Sequence, residues 1–297
     1  MKKFFRIASE HGHLRFYLFG LRILSFKVSD FDELYALTIK KYKALREIKP
    51  EITTLVLGSS HGRDAYICDN NAFNLSGTSL DLYRIYHLYL WMMQNHPSKI
   101  KNIIVFYDVF HAGLQLEKTR NALRTVPYKL FYNIDYAFPL SKQNIKAESS
   151  LIKKLQKRYQ SMPMPSPSYR GNIKHPTSHK SSKDTELKVQ GHLKNNMRGN
   201  NQDAYIESLA KQTEARNQNL FIVTSPYRQD YLSFLPPYET VFSQLLRIAK
   251  EHPSVHILNY QNDKDFSDDD FYDSDHLNQQ GAEKLTNKIT QDIARIS

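Results

Sequence analysis

The sequence predicts an α/β protein, with three layers (α/β/α) built around a mainly parallel sheet of five strands. Five short runs rich in β-branched and aliphatic residues recur along the chain, and stretches with helical periodicity lie between them. Strands that alternate with helices are joined by right-handed crossovers, which produce a parallel sheet covered on both faces. The composition agrees, because 40% hydrophobic residues in a chain of 297 is ordinary for a protein with a large core.

The elements of the sheet follow a first helix. Asp30 and Glu33 form a capping box, and helical periodicity continues from Leu34 to Ile48. The predicted strands are residues 53–57, 72–75, 100–107, 220–224 and 255–259. Helical patterns also cover residues 80–96 and the C-terminal stretch from Gln279. Sites in such sheets lie at the carboxyl ends of the strands, so residues that directly follow these runs are the candidates.

A long insertion separates the third and fourth strands, from about residue 111 to about residue 200. From Met162 onward it is rich in Pro, Ser, His and Lys without regular periodicity, so we expect a lid or loop. Residues 151–200 carry 11 Lys and Arg against 2 Asp and Glu, most of the chain's net charge of +11. Such a segment beside a site would attract anions; a solvated loop with incidental charge is the alternative. Nucleic acid is disfavoured, because no recognisable binding module accompanies the charge.

The first 28 residues form a separate aromatic and basic segment, and residues 29–297 form the α/β domain. Arg6, Glu10 and His11 interrupt the apolar start, so we expect no signal-peptide cleavage. Residues 16–27 suit an anionic membrane surface, or equally an edge hairpin packed on the core. They are similar to leader segments of bacterial enzymes that build capsule or lipopolysaccharide. Because no apolar run reaches the roughly 20 residues of a membrane span, we expect a cytoplasmic protein, with peripheral contact to the inner membrane as an alternative.

Ser60 is the candidate nucleophile. The first strand runs into Gly58, and Ser59 and Ser60 follow it directly. A helix that starts at about His61 would offer free backbone N–H groups and a positive helix end to a developing oxyanion. Ser59 is the rival nucleophile, although it would face the core.

His276 is the candidate base, because a serine hydroxyl is a poor nucleophile until a base takes its proton. It lies in the loop before the last helix, and Asp273 precedes it with the spacing Asp-x-x-His. Asp273 is the candidate that orients the histidine, and Asp275 is its rival, since adjacent loop residues often point apart.

Two serine-hydrolase architectures fit Ser60. The pattern Gly58-x-Ser60-x-Gly62 matches a nucleophile elbow, but elbows follow several strands and take acid and base from separate loops. A serine after the first strand with Asp-x-x-His near the C-terminus resembles the SGNH (GDSL-type) hydrolase superfamily instead. The resemblance implies an SGNH/flavodoxin-like fold in which Ser60 is the nucleophile, His276 the base and Asp273 its partner.

The same resemblance implies oxyanion donors that this chain supplies only in part. The backbone N–H groups of Ser60 and Gly77 are the expected donors, with Ser79 as the rival for Gly77. The family's third block normally contributes an asparagine, but this chain has Tyr107 and Asp108 there. Removal of one such donor typically costs about a hundred- to a thousandfold in rate, so another group substitutes or catalysis is weaker.

Four further residues are candidates for substrate binding near this serine. They are His61, Arg63, Tyr107 and Asp108. The Tyr107 hydroxyl can donate a hydrogen bond to an oxyanion, whereas an ionised Asp108 cannot. His61 and Arg63 touch substrate or cap the next turn.

We expect no metal site and no disulfide. The acidic run Asp268-Asp269-Asp270 lacks the glycine and terminal glutamate of a calcium loop, and we interpret it as solvated. The single cysteine, Cys68, is expected to be a small residue in or near the core.

These features predict a serine-dependent O-acetyltransferase or O-acetyl esterase that acts on a bacterial cell-surface polysaccharide. Hydrolysis requires no cofactor, and acetyl-CoA is the candidate acyl donor for a transferase. The expected partner is an anionic glycan or a lipid-linked saccharide. The alternative is a glycan-binding or scaffold protein that keeps the fold with a weakened or inactive site.

Overall fold

The computed structural model describes residues 5–10, 13–18, 21–27, 30–96, 99–175, 184–196 and 202–296. Its strands form two sheets, one of three antiparallel strands and one of five parallel strands. The small sheet consists of β1 (Phe5–Glu10), β2 (His13–Leu18) and β3 (Leu21–Lys27). The large sheet consists of β4 (Thr54–Gly58), β5 (Ala72–Asn74), β6 (Asn102–Phe106), β7 (Asn219–Thr224) and β8 (Val255–Asn259). The predicted five-stranded α/β fold is therefore confirmed, and all five strands run parallel.

Eleven helices accompany these strands in the described part of the chain. They are α1 (Asp30–Lys43), α2 (Ser60–Ala65), α3 (Leu82–Asn95), α4 (Val126–Tyr132), α5 (Lys142–Ser161), α6 (Thr185–Asn196), α7 (Asp203–Glu214), α8 (Gln229–Leu232), α9 (Tyr238–Val241), α10 (Ser243–Glu251) and α11 (Gln279–Ile296). A π-helical turn, Ala44–Ile48, extends α1, so the first predicted helix ends where the sequence predicts. None of the described helices has the length and apolar composition that crossing a bilayer requires.

The large sheet is buried on both faces, as expected for a parallel sheet. Alternate residues of β6 divide between two clusters: Ile103 and Val105 pack towards α3, whereas Ile104 and Phe106 pack towards α11. All four side chains are fully buried. These two cores fix the direction in which each residue at the end of β6 points, and this decides which of them reaches the site.

The strand order is β5-β4-β6-β7-β8, so the chain leaves β4 towards one side and later crosses to the other. In open α/β sheets, ligand sites occur at the carboxyl ends of the strands where the order reverses, here between β4 and β6. Gly58 makes their close approach feasible, because its φ of 149° and a Cβ only 2.8 Å from Phe106 Cβ would be unfavourable for any other residue. Ser59, which follows Gly58, therefore meets Asp108 at this point.

The insertion at residues 111–200 differs from a simple loop, because its described part contains α4, α5 and α6. Leu151 and Leu155 on α5 pack against Tyr35 and Ile39 of α1. Much of the positive charge, including Lys153, Lys154, Lys157 and Arg158, lies on the exposed face of α5. After α5 the chain runs along the edge of the sheet, where the Arg170 carbonyl accepts the Asn74 N–H at 2.9 Å. The third helix, α6, reaches the carboxyl end of the sheet.

Candidate active site

Ser60 and Ser59 differ sharply in their surroundings. Ser59 is the N-cap of α2, accepts the His61 N–H at 3.3 Å, and is completely buried. Its hydroxyl donates a short hydrogen bond to the Asp108 carboxylate. Ser60 is the first residue of α2 and is partly exposed. Of the two serines, Ser60 is thus the one that an external molecule can reach.

His276 lies beside Ser60. The His276 Nε2 atom is 3.0 Å from the Ser60 hydroxyl oxygen, and its Nδ1 atom is 3.0 Å from Asp273 Oδ1. With a proton on Nδ1 held by the carboxylate, Nε2 is free to accept the serine proton, the tautomer that a general base needs. The Ser60, His276 and Asp273 side chains therefore form a continuous hydrogen-bonded triad.

The loop that carries His276 is fixed by local hydrogen bonds. Asp273 Oδ1 accepts the backbone N–H groups of Asp275 at 3.1 Å and of His276 at 3.0 Å. Asn278 Oδ1 accepts the Gly281 N–H at 3.1 Å at the start of α11, so the histidine precedes a capped helix. These short-range contacts explain why the Asp-x-x-His spacing can be recognised from the sequence.

A second carboxylate lies at the same histidine nitrogen. Asp275 Oδ1 is 3.1 Å from His276 Nδ1, and the Asp275 side chain is fully buried. Burial lowers the pKa of His276, but the charge of Asp275 and the contacts of both carboxylates with the ring outweigh it and raise that pKa to about 10. The two rival candidates for the acid that orients the histidine, Asp273 and Asp275, therefore both contact His276.

Lys188 on α6 offsets the negative charge of these two carboxylates. Its ammonium group forms a short ion pair with Asp275 and lies 3.2 Å from Asp273 Oδ2. His192, one turn further along α6, is 4.0 Å from Asp275 Oδ2 and 2.7 Å from the Tyr231 hydroxyl. Burial lowers the pKa of His192 to about 4, so this ring is neutral. The insertion thus brings one cation and one neutral histidine to the candidate site.

His61 and Asp108 lie behind the triad and not at its surface. His61 Nδ1 is 2.9 Å from Asp108 Oδ1, and His61 Nε2 is 3.2 Å from Asp275 Oδ2. The rings of His61 and His276 are stacked, with centroids 4.6 Å apart and planes 10° apart. Burial opposes protonation of His61, but the two carboxylates raise its pKa to about 9. Sequence reasoning considered His61 and Asp108 as substrate contacts, and the structure buries both of them.

Arg63 and Tyr107 have partners of their own. Arg63 forms a bidentate pair with Asp64 and donates a short hydrogen bond to the Thr78 hydroxyl. The Tyr107 hydroxyl donates to Asp203, and its ring packs with the core on the α3 side of the sheet. Because Asp108 follows it on the opposite face, only Asp108 belongs to the network of Ser59 and His61.

Of the two candidates for the second oxyanion donor, Gly77 has its backbone N–H engaged. The Gly77 N–H donates to the Gly58 carbonyl oxygen at 3.0 Å. Ser79 adopts a left-handed backbone with φ of 57°, and its hydroxyl accepts from Arg124 at 2.9 Å. The roles of Gly77 and Ser79 as oxyanion donors therefore stay predictions.

Three residues of the site, His61, Asp275 and His276, have ligand atoms within 4.8 Å of one another, a spacing that suits a metal ion. Two of these residues already have partners in the structure: the Lys188 ammonium contacts Asp275, and one nitrogen of His276 faces Ser60. In the acidic run that the sequence predicts to be solvated, Asp268 and Asp269 are exposed, whereas Asp270 is buried and paired with Lys284 at 2.6 Å.

A scan against protein-family models and a search of curated proteins both found no match to this chain. What the structure establishes is an α/β fold whose parallel sheet has the order 2-1-3-4-5 within the sheet's own strands. The resemblance to a serine hydrolase therefore depends on the geometry of Ser60, His276 and the two carboxylates.

Proposed function

We propose that this chain is a serine-dependent acyl-transfer enzyme of the SGNH type. The observation that carries the proposal is the hydrogen-bonded sequence Ser60, His276, Asp273, with distances of 3.0 Å at both contacts. Its position at the carboxyl ends of β4 and β6, where the strand order reverses, supports the proposal. A partly exposed serine beside a histidine and a carboxylate that are each less than a fifth exposed is the arrangement that nucleophilic catalysis requires.

In the proposed reaction, His276 takes the proton of Ser60 while the serine oxygen attacks an ester or thioester carbonyl. The backbone N–H of Ser60 stabilises the oxyanion, and the tetrahedral intermediate expels an alcohol or thiol that receives the proton from His276. Water or a sugar hydroxyl then attacks the acyl-serine, again with His276 as the base. Gly77 is the second proposed donor, and its N–H must leave the Gly58 carbonyl to take part.

The proposed substrate is an acetylated or acetyl-accepting bacterial cell-surface polysaccharide, with acetyl-CoA as the donor if the enzyme is a transferase. Support comes from the similarity of residues 16–27 to leaders of capsule and lipopolysaccharide enzymes, and from the basic residues of the insertion. An exposed positive helix such as α5 can attract an anionic glycan or a lipid-linked sugar phosphate. We also propose peripheral contact of residues 1–28 with the inner membrane.

A second candidate function is a glycan-binding scaffold that retains this fold without turnover. Asp108 stands where the family has an asparagine donor, and in this chain its carboxylate pairs with His61. The high pKa of His276 also keeps most of the base protonated at neutral pH. Both observations favour slow catalysis, and they make the pH of the assay critical.

The test is turnover of p-nitrophenyl acetate from pH 7 to pH 9.5, with the background hydrolysis subtracted. We compare wild type with Ser60→Ala and His276→Ala, and we add acetyl-CoA with a capsule-type oligosaccharide in a parallel series. Turnover that disappears in both variants supports the serine mechanism, and recovery of acetylated glycan identifies a transferase. Folded wild type that shows no turnover with either donor at any pH supports the scaffold.

Membrane contact is tested separately by flotation with vesicles that contain anionic lipid. The full chain is expected to float with the vesicles, and a chain without residues 14–27 is expected to stay in the dense fraction. Equal flotation of the two chains would contradict the proposed contact.

A further inference from the structure

Both ring nitrogens of His61 face carboxylates. Nδ1 lies 2.9 Å from Asp108 Oδ1 and Nε2 lies 3.2 Å from Asp275 Oδ2, while the side chains of all three residues are at most 2% exposed. The Nε2 contact is a hydrogen bond, and it requires a proton on Nε2 because an ionised carboxylate only accepts. The Nδ1 contact is a close approach of 2.9 Å without the angles of a hydrogen bond. A proton on Nδ1 replaces the repulsion between a nitrogen lone pair and the carboxylate oxygen with attraction, so the contact favours the doubly protonated ring.

His111, which lies on the other side of Asp108 and outside the triad, provides the contrast. It is equally buried, but its Nδ1 accepts the Asp108 backbone N–H at 2.6 Å, so this nitrogen has no proton. Its Nε2 lies 3.0 Å from the Leu80 carbonyl oxygen and donates to it. The ring of His111 is therefore neutral, in agreement with the downward direction of its pKa, in which burial is the largest cause. Two histidines beside one carboxylate thus have opposite protonation states.

We infer that at neutral pH His61 is a buried imidazolium that offsets the carboxylates around His276, so that His276 loses its proton and serves Ser60 at a lower pH than it otherwise would. This inference rests on the proposed serine mechanism for its functional consequence. His61 does not contact the reacting atoms, and it is a positioning residue that acts through Asp275 and through the stacked ring of His276.

The physical basis is the repulsion between like charges at short range. The two ring centroids are 4.6 Å apart, and no solvent separates stacked rings at that distance. A positive His61 disfavours a second positive charge on His276, and it also shares the negative charge of Asp275. Without His61, only Lys188 would offset the charge that Asp275 exerts on His276.

Other charged and titratable groups face these two rings. Around His61 they are Asp108, Asp275, His276, His192, His111 and the phenol of Tyr227. Around His276 they are Asp273, Asp275, Lys188, His61 and Asp64. A neutral His61 with a protonated carboxylic acid would also satisfy the hydrogen bonds. The pKa directions oppose this alternative, because burial raises those of Asp108 and Asp275 but the neighbouring histidines lower them by more.

The experiment is nitrogen-15 NMR of the histidine rings in the full chain, which reports protonation without any need for turnover. The spectrum is recorded at pH 7.5, which lies above the pKa of about 6.5 of an ordinary histidine and below the raised pKa of His61. Both nitrogens of His61 are expected to be protonated at this pH. His111 is expected to have one protonated nitrogen in the same spectrum and is the internal reference. A His61 signal with one unprotonated nitrogen would overturn the inference, even if Ser60-dependent turnover is found.

The effect on His276 is measured in the paired variant His61→Gln/Asp108→Asn, which leaves no unpaired buried charge. We expect the titration of His276, and the acidic limb of kcat/KM, to move upward by about one to two pH units. His111→Gln is the matched control, since it removes a buried neutral histidine and should leave both unchanged. A folded paired variant with an unshifted His276 contradicts the inference. If the paired variant does not fold, Asp108→Asn alone is expected to lower the pH at which His61 titrates.

Discussion

The exchange of Asp275 for asparagine is predicted to increase activity at neutral pH. Two carboxylates lie at His276 Nδ1, Asp273 at 3.0 Å and Asp275 at 3.1 Å. Asp273 has the geometry of a hydrogen bond to the ring, whereas Asp275 mainly adds a buried negative charge. Since a base works only when it is unprotonated, a charge that holds the proton on His276 reduces catalysis below its pKa.

The magnitude follows from the distance and the neighbours. A unit charge at about 3.1 Å in an effective dielectric of about 20 contributes about 5 kcal/mol, and Lys188 and His61 offset much of it. A remaining effect of about 2 kcal/mol would lower the pKa of His276 by one to two. Because the pKa of His276 is about 10, His276 is unprotonated in roughly one enzyme molecule in a thousand at pH 7. Asp275→Asn should therefore raise kcat/KM at pH 7 by about ten- to a hundredfold.

The assay is the pH profile of kcat/KM for p-nitrophenyl acetate, with Asp273→Asn as the matched comparison. Asp273→Asn removes the acceptor that fixes the tautomer, so a loss of about a hundred- to ten-thousandfold is expected at every pH. Thermal unfolding of both variants checks that they fold, because Asp275→Asn also loses its contacts with Lys188 and His61. A uniform fall in activity for Asp275→Asn, without a shift of the profile, would refute the reasoning.

Further variants test the fold and the boundaries of the site. Gly58→Ala should reduce the free energy of unfolding by about 2 to 4 kcal/mol in urea denaturation, because its Cβ would approach Phe106 Cβ to 2.8 Å at an unfavourable φ. Gly191→Ala is its control, since nothing lies within 4 Å of the added methyl group in a helix, and equal destabilisation of both would contradict the packing argument. Tyr107→Phe should leave the pH profile of kcat/KM unchanged, because its hydroxyl donates to Asp203 on the other face of the sheet; a loss above tenfold in folded protein would instead place Tyr107 at the reaction.

The sheet could be predicted because its strands are short, apolar and separated by helical patterns. Ser60 and His276 could be proposed for a similar reason, since each is marked by residues close in sequence. Gly58 precedes the serine, and Asp273 binds two backbone N–H groups of the histidine loop. Local hydrogen bonding and strand ends are properties that the order of residues encodes directly.

The contacts around the triad could not be predicted in the same way. The pairing of His61 with Asp108 depends on the parallel register that sets Gly58 beside Phe106 at the ends of β4 and β6. Lys188 reaches Asp273 and Asp275 only because α6 folds over the sheet, and in the sequence it resembles the other basic residues of the insertion. Long-range contacts of this kind leave no periodic or local signal.

The composition of the insertion conceals its helices. The run of Pro, Ser, His and Lys after Met162 indicates irregular chain, and residues 162–175 are irregular in the structure. The preceding α5 is amphipathic through Leu151 and Leu155, but its many exposed charges obscure that pattern. Its stability comes from packing against α1, which the sequence does not show.

Covalent labelling with a fluorophosphonate, followed by intact mass and peptide mapping, tests the central claim most directly. Wild type is expected to gain one adduct on Ser60, faster at pH 9 than at pH 7, because about a hundredfold more His276 is unprotonated there. Ser60→Ala should gain none, and Ser59→Ala should still react at Ser60. Folded wild type that stays unlabelled over this pH range, or an adduct on another residue, would contradict the assignment of Ser60 as the nucleophile.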